Sequence, residues 1–187
     1  MVLAFPVLLA LALGLVLGGS LGRLAETRLR APWLFLAAIG LQVVAFPVAG
    51  LPWRTHETVA SILWVASYGL LVVAACLNRR ITGVPVVAVG MLLNLAAILA
   101  NRGTMPVSDE AMRDAGRTAV TQANSTALPD PSLPWLIDRW AAPDWLPLAN
   151  VYSVGDVVIA AGAFVIVLGA MGVPPVRLVS RRLEAEE

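Results

Sequence analysis

Asp156 is the one acid inside the long apolar stretches of this chain, and Asn94 and Asn101 are amides set seven residues apart in another. Asp138 precedes Asp156 by eighteen residues. Two carboxyl groups can share a proton around one water, which is the arrangement of an acid–base pair. An amide beside a carboxylate offers donors and acceptors to a small polar ligand. Asn94, Asn101, Tyr152, Ser153 and Asp156 are therefore the candidate ligand-binding set, and Asp138 with Asp156 the candidates for acid chemistry.

Composition removes other chemistries. All 13 cationic side chains are Arg, so no lysine is present to form a Schiff base or act as a nucleophile. A single Cys and a single His leave no intrachain disulfide, no thiolate cage and no bis-His haem, so neither a metal site nor a cofactor is expected. Hydrophobic residues make up 59% of the 187 and charged ones 13%. Soluble domains carry about 25% charged residues. That balance excludes a water-soluble globular fold, a disordered tail and a nucleic-acid binder, and it points to an integral membrane protein.

The elements that must position these side chains are apolar runs near the length of a hydrocarbon core, about 20 residues. They are Val2–Ser20, Pro32–Gly50, Thr58–Leu77, Val84–Ala100 and Val151–Val173. The expected fold is thus an all-α membrane protein of five transmembrane helices in a single domain, residues 1–187. Residues 101–150, polar and proline-rich, form an outer segment with short interfacial helices, and residues 174–187 a cytoplasmic tail. The first run has no cation before it and exceeds the usual signal-peptide core, so it is read as a true span.

Arginine placement sets orientation. Arg23, Arg28 and Arg30, then Arg79 and Arg80, then Arg177, Arg181 and Arg182 fall on one side if the spans alternate. The N-terminus is then outside, the C-terminus cytoplasmic and the 101–150 segment extracytoplasmic. The lipid bilayer is the expected partner.

Helices in lipid associate through close packing and polar contacts. Gly14, Gly18 and Gly22 on the first span, and Gly155, Gly162 and Gly169 on the last, form bare stripes that suit bundle packing or a seam to a second copy or a membrane complex. Ser108-Asp109-Glu110 reads as a helix start, with Asp109 and Arg113 spaced to pair and Gly116 as the stop. Trp135, Trp140 and Trp145 suit the headgroup level.

Polar groups at depth are costly in an apolar medium. Gln42, Ser61, Ser67, Tyr68 and Asn94 all lie within spans. Asn101 and Asp156 fall at the outer ends of theirs and can meet if the fourth and fifth spans pack together. A purely architectural reading stays open: Asn101 as a C-cap, Asp156 as a charge complementing the helix dipole, and Asn94 as an interhelical hydrogen bond.

The run from Ala100 through Asn101-Arg102-Gly103-Thr104-Met105-Pro106-Val107 to Ser108, with Tyr152-Ser153-Val154-Gly155-Asp156, resembles a bacterial membrane family known only as a domain of unknown function. The resemblance covers most of the chain and implies a small polytopic inner-membrane protein without supplying an activity. Leu136-Ile137-Asp138-Arg139 and the stretch from Asn150 to Gly162 are also similar to blocks of lipoprotein signal peptidase. That likeness implies a dyad of Asp138 and Asp156, although the Asn and Gly that precede the first Asp in that family are missing here. Three readings follow: a binding site for a small ligand, lipid headgroup or partner; an aspartyl hydrolase; and an accessory subunit without chemistry.

Overall fold

The computed structural model describes residues 4–46, 55–115, 125–143 and 151–174. Gly116, Trp145 and Gly50, with Arg177, Arg181 and Arg182 of the tail, lie outside the described residues. The chain is mostly helical: α1 Ala4–Val16, α2 Leu21–Glu26, α3 Trp33–Ala45, α4 Glu57–Leu77, α5 Val84–Ala100, α6 Asp109–Asp114 and α7 Val154–Ala170. By length and composition α4, with 21 residues, is apolar and long enough to cross a membrane. The other apolar helices, α1, α3, α5 and α7, have 13 to 17 residues.

The first apolar run is broken earlier than its hydropathy suggests. The α1 helix stops at Val16, and Gly18 adopts φ +79°, a left-handed turn that ends a helix. Gly14, Gly18 and Gly22 therefore do not form one continuous stripe, because Gly22 belongs to the separate helix α2. Of the three, Gly14 lies in the helix contact, against the side chains of Met171 and Leu168 just beyond and within α7.

Two glycines of the other stripe, Gly155 and Gly162, lie in a helix contact. A Cβ on Gly162 would come within 2.6 Å of Val87 Cγ2 and 2.7 Å of its backbone nitrogen. Gly83 and Gly90 answer it from the opposite side, each within 2.6 Å, counted from an ideal Cβ, of the carbonyl oxygens of Gly162 and Gly155 respectively. Both helices thus carry glycines seven residues apart and lie antiparallel with their backbones in contact, the close approach that small residues permit. The Gly155–Gly162 face is filled by α5 of the same chain.

Polar clasps fix the second hairpin. Gln42 on α3 donates to Ser67 Oγ on α4 at 3.1 Å, and Ser67 in turn donates to the Trp64 carbonyl at 2.7 Å. At the end of the hairpin Asn78 Oδ1 accepts from the Arg30 backbone N–H at 2.7 Å while its amide donates to the Arg30 carbonyl at 3.0 Å. This contact brings the arginine-bearing links, Arg28–Arg30 and Arg79–Arg80, to the same end of the bundle. Ser20 N–H donates to Met171 O at 2.9 Å, so the ends of α1 and α7 are joined as well.

The segment after α5 differs from the expected interfacial helices. Ser108 caps α6 by accepting from Ala111 N–H at 3.1 Å, as its sequence suggests. Asp109 and Arg113 of that helix show no ion pair. Four short strands and the turns between them make up the rest of the described segment: β1 Met105–Val107 runs parallel to β2 Ser125–Ala127, and β3 Trp140–Ala141 pairs antiparallel with β4 Val151–Tyr152. Leu136 and Ile137 turn inward, 2% and 4% exposed, while Trp135 and Trp140 face outward at 55% and 42%. Leu136 and Ile137 are thus core residues, whereas the indoles of Trp135 and Trp140 remain at the surface.

Candidate functional site

Three of the candidate residues meet at the point where α7 begins against α5. Ser153 is the N-cap of α7 and forms a capping box with Asp156. Asp156 N–H donates to Ser153 Oγ at 3.1 Å, and Ser153 N–H donates to Asp156 Oδ2 at 2.9 Å. Ser153 Oγ lies 2.9 Å from both Asp156 Oδ2 and Asn94 Oδ1, so its one proton serves two acceptors. Asn94 closes the ring by donating from Nδ2 to Asp156 Oδ1 at 2.9 Å. Asn94 and Ser153 are 3% and 0% exposed.

Gly155 makes this ring possible. An ideal Cβ there would overlap the Asn94 side chain and stand 2.8 Å from the Gly90 carbonyl oxygen. Any side chain would push Asn94 away from the acid it binds.

Two further groups on other elements lie within electrostatic reach of Asp156. The phenol of Tyr68 on α4 lies against Asn94 and within electrostatic reach of Asp156 and Asp138. Tyr68 also continues an aromatic column: Trp64 stands 5.4 Å from it, and Phe46 5.0 Å from Trp64, both edge to face. Asp138 is placed by the backbone of the segment between α5 and α7. Its N–H donates to Pro106 O at 3.0 Å and its carbonyl accepts from Ser108 N–H at 2.9 Å, a bridge alongside β1. The Asp138 side chain is 5% exposed. Burial first, and the negative charge of Asp156 second, push its carboxyl up from the usual 3.8 to about 7.

The remaining candidates have other partners. Asn101 is the C-cap of α5, and its amide donates to the carbonyls of Ala97 and Ser132 at 2.8 and 2.9 Å. Its Oδ1 accepts from Ser132 N–H at 2.8 Å. Asn101 thus ties the segment that follows α5 back to that helix, and the amide that meets Asp156 is Asn94. The register explains the difference: with Gly90 opposite Gly155 in an antiparallel pair, Asn101 lies beyond the first residue of α7. Tyr152 packs its ring on Trp140 at 5.7 Å and accepts from Arg139 N–H at 3.1 Å through its backbone.

Sequence reasoning named Tyr68 as a polar residue in a span but did not bring it to the cluster, and it did not single out Ser132 or Asn78. The matched pairs Gly83–Gly90 and Gly155–Gly162 were the signal that sets the register and selects Asn94. Chemically, the assembled group offers two carboxyls, an amide, a hydroxyl and a phenol. The charge of Asp156 is the electrostatic influence that raises the Asp138 carboxyl.

A family model, described as Family of unknown function (DUF5317), matches residues 26–168. No curated protein matches, and no solved structure does.

Proposed function

The chain belongs to DUF5317, a family of unknown function, and we propose that it is a five-span bacterial inner-membrane protein that binds a small ligand at the outer end of its helix bundle. Length and composition support one span directly, that of α4. The side chains that α1, α3 and α5 turn outward support three more: Leu8, Leu36 and Leu99 are between 57% and 71% exposed, a surface suited to lipid. The 17 residues of α5 and α7 are at the short end of what a bilayer needs.

The arginines of the Arg28–Arg30 and Arg79–Arg80 links share one end of the bundle, which the positive-inside bias assigns to the cytoplasm. The N-terminus is then outside and the polar cluster at the extracytoplasmic face. Cysteine labelling tests this orientation. With Cys76→Ala as background, Asp109→Cys should react with an impermeant thiol reagent in intact cells and Arg79→Cys only after lysis. The reverse pattern contradicts the orientation, and labelling of both in intact cells contradicts the spans.

The observation that carries the binding reading is the buried Asp138 within electrostatic reach of Asp156, whose own carboxylate is held by Asn94 and Ser153. A helix start needs the capping box alone. The second buried acid adds a desolvation cost without a hydrogen bond to the ring, and such groups gather at functional sites. The ligand that suits a pair of carboxyls carries hydrogen-bond donors or positive charge. Solvent extraction and mass spectrometry of protein purified from its own membrane test it. The wild type should release a small molecule that Asp138→Asn protein lacks while melting as a folded helical protein. Identical extracts from the two would end the binding reading.

The mutual influence of Asp138 and Asp156 also favours a second reading, a membrane-embedded aspartyl hydrolase. Its support is the pairing of the acids; against it, both Asp156 oxygens already accept hydrogen bonds from Asn94 and Ser153. Cleavage of a lipid-anchored peptide by wild type, lost in Asp138→Asn, would favour the hydrolase.

A further inference from the structure

Outside the polar cluster, a groove of about 660 Å³ lies where the turn after α5 rests on the start of α4. Gly103, at φ +85°, creates it: a Cβ there would stand 2.8 Å from Ser61 Cβ, so only glycine lets the turn settle on α4. Arg102 and Thr104 line one wall, and Glu57, Thr58, Ile62 and Val65 the other.

Polarity changes along the groove. Glu57 and Thr58 belong to the first turn of α4, whereas Ile62 and Val65 lie one and two turns further along. Ile62 is 62% exposed on α4, the helix read above as a span. Glu57 and Arg102 are both exposed, so one acid and one guanidinium stand open at the polar end. The volume is within the range of small-molecule sites, about 300–1,000 Å³.

We propose that this groove holds a zwitterionic phospholipid bearing a primary ammonium, phosphatidylethanolamine in chemical class. Its phosphate lies on Arg102, which suits phosphate by the planar fork of its donors, with the Thr58 and Thr104 hydroxyls beside it. Its ammonium donates to Glu57, and the upper part of an acyl chain runs along Ile62 and Val65. One acid and one base lining the same groove match a headgroup that carries both charges. A choline headgroup has no N–H to give Glu57, and an anionic glycerol headgroup brings no positive charge to it. The inference rests on the membrane reading and is independent of ligand binding at Asp138 and Asp156.

Native mass spectrometry of the full-length, delipidated protein in detergent tests it, with dioleoyl phosphatidylethanolamine, phosphatidylcholine and phosphatidylglycerol added in turn. The ethanolamine lipid should be retained best. Arg102→Gln should lower its retention about tenfold, the effect of losing a charged hydrogen bond. Glu57→Gln should erase the preference for ethanolamine over choline and leave choline binding unchanged, a result that stands even if Arg102→Gln protein fails to fold. In an Asp138→Asn background the preference for ethanolamine and its loss on Glu57→Gln should both persist, which separates this site from the polar cluster. Equal retention of the three lipids by wild type, unchanged binding in a folded Arg102→Gln protein, or a peptide found in place of lipid would each overturn the proposal.

Discussion

Gly155→Ala should be the most damaging single-methyl change in the described helices, lowering stability by about 2–3 kcal/mol as an overpacked contact that the backbone cannot relieve. The added carbon meets the Asn94 side chain and approaches the Gly90 carbonyl oxygen to 2.8 Å. A flexible neighbour could move, but a backbone carbonyl inside α5 cannot move without opening the helix pair. Displacing Asn94 also removes the donor to Asp156 Oδ1 and leaves Ser153 one partner short. An internal control is Gly69→Ala, where nothing stands within 4 Å of the new carbon. That substitution should be neutral, or stabilising by up to about 1 kcal/mol through helix propensity. Thermal melts in one detergent, followed by circular dichroism, compare the pair. Equal melting of Gly155→Ala and wild type would mean that α5 and α7 do not meet at Gly90 and Gly155.

The second large effect is a stability that declines as pH rises, traceable to Asp138. Its folded carboxyl titrates at about 7, against an ordinary 3.8, because burial and then the charge of Asp156 disfavour ionisation. The folded protein therefore holds a proton that the unfolded chain releases. The stability linked to that proton is complete below the unfolded value, is lost as pH climbs between the two, and is gone above the folded value. The slope is about 1.4 kcal/mol for each pH unit in that window. Asp138→Asn keeps the shape and removes the titration. It should flatten the profile and melt higher than wild type at pH values above about 7. A variant whose profile has the wild-type slope would show that another group carries the linkage.

Much of this architecture is legible in the residues, for identifiable reasons. Apolar runs bounded by glycine, proline and arginine mark the helices, since few other structures satisfy so many backbone groups beside so little polar surface. Ser153-x-x-Asp156 is local and reads as a capping box without tertiary information. Ser108 is legible on the same ground. Long-range choices are harder. Asn94 and Asn101 are the same residue type on one helix face, and only the interhelical register distinguishes the amide that meets Asp156 from the one that meets Ser132. That register lies in the paired glycines, and the Gly83–Gly90 half of the pattern is inconspicuous in a run of valines. The strands of the outer segment are two or three residues long, too short to show alternation. The place of Asp138 depends on one of them, because its backbone is pinned alongside β1.

Infrared spectroscopy of the Asp138 carboxyl band across pH, assigned by its loss in Asp138→Asn, tests the central claim most directly. With Asp156 beside it at the head of α7, the band should titrate at about 7 in the wild type, and its midpoint should fall in Asp156→Asn protein, where the neighbouring negative charge is gone. A wild-type midpoint in the ordinary carboxylate range, or one that Asp156→Asn leaves unmoved, would contradict a shared polar site.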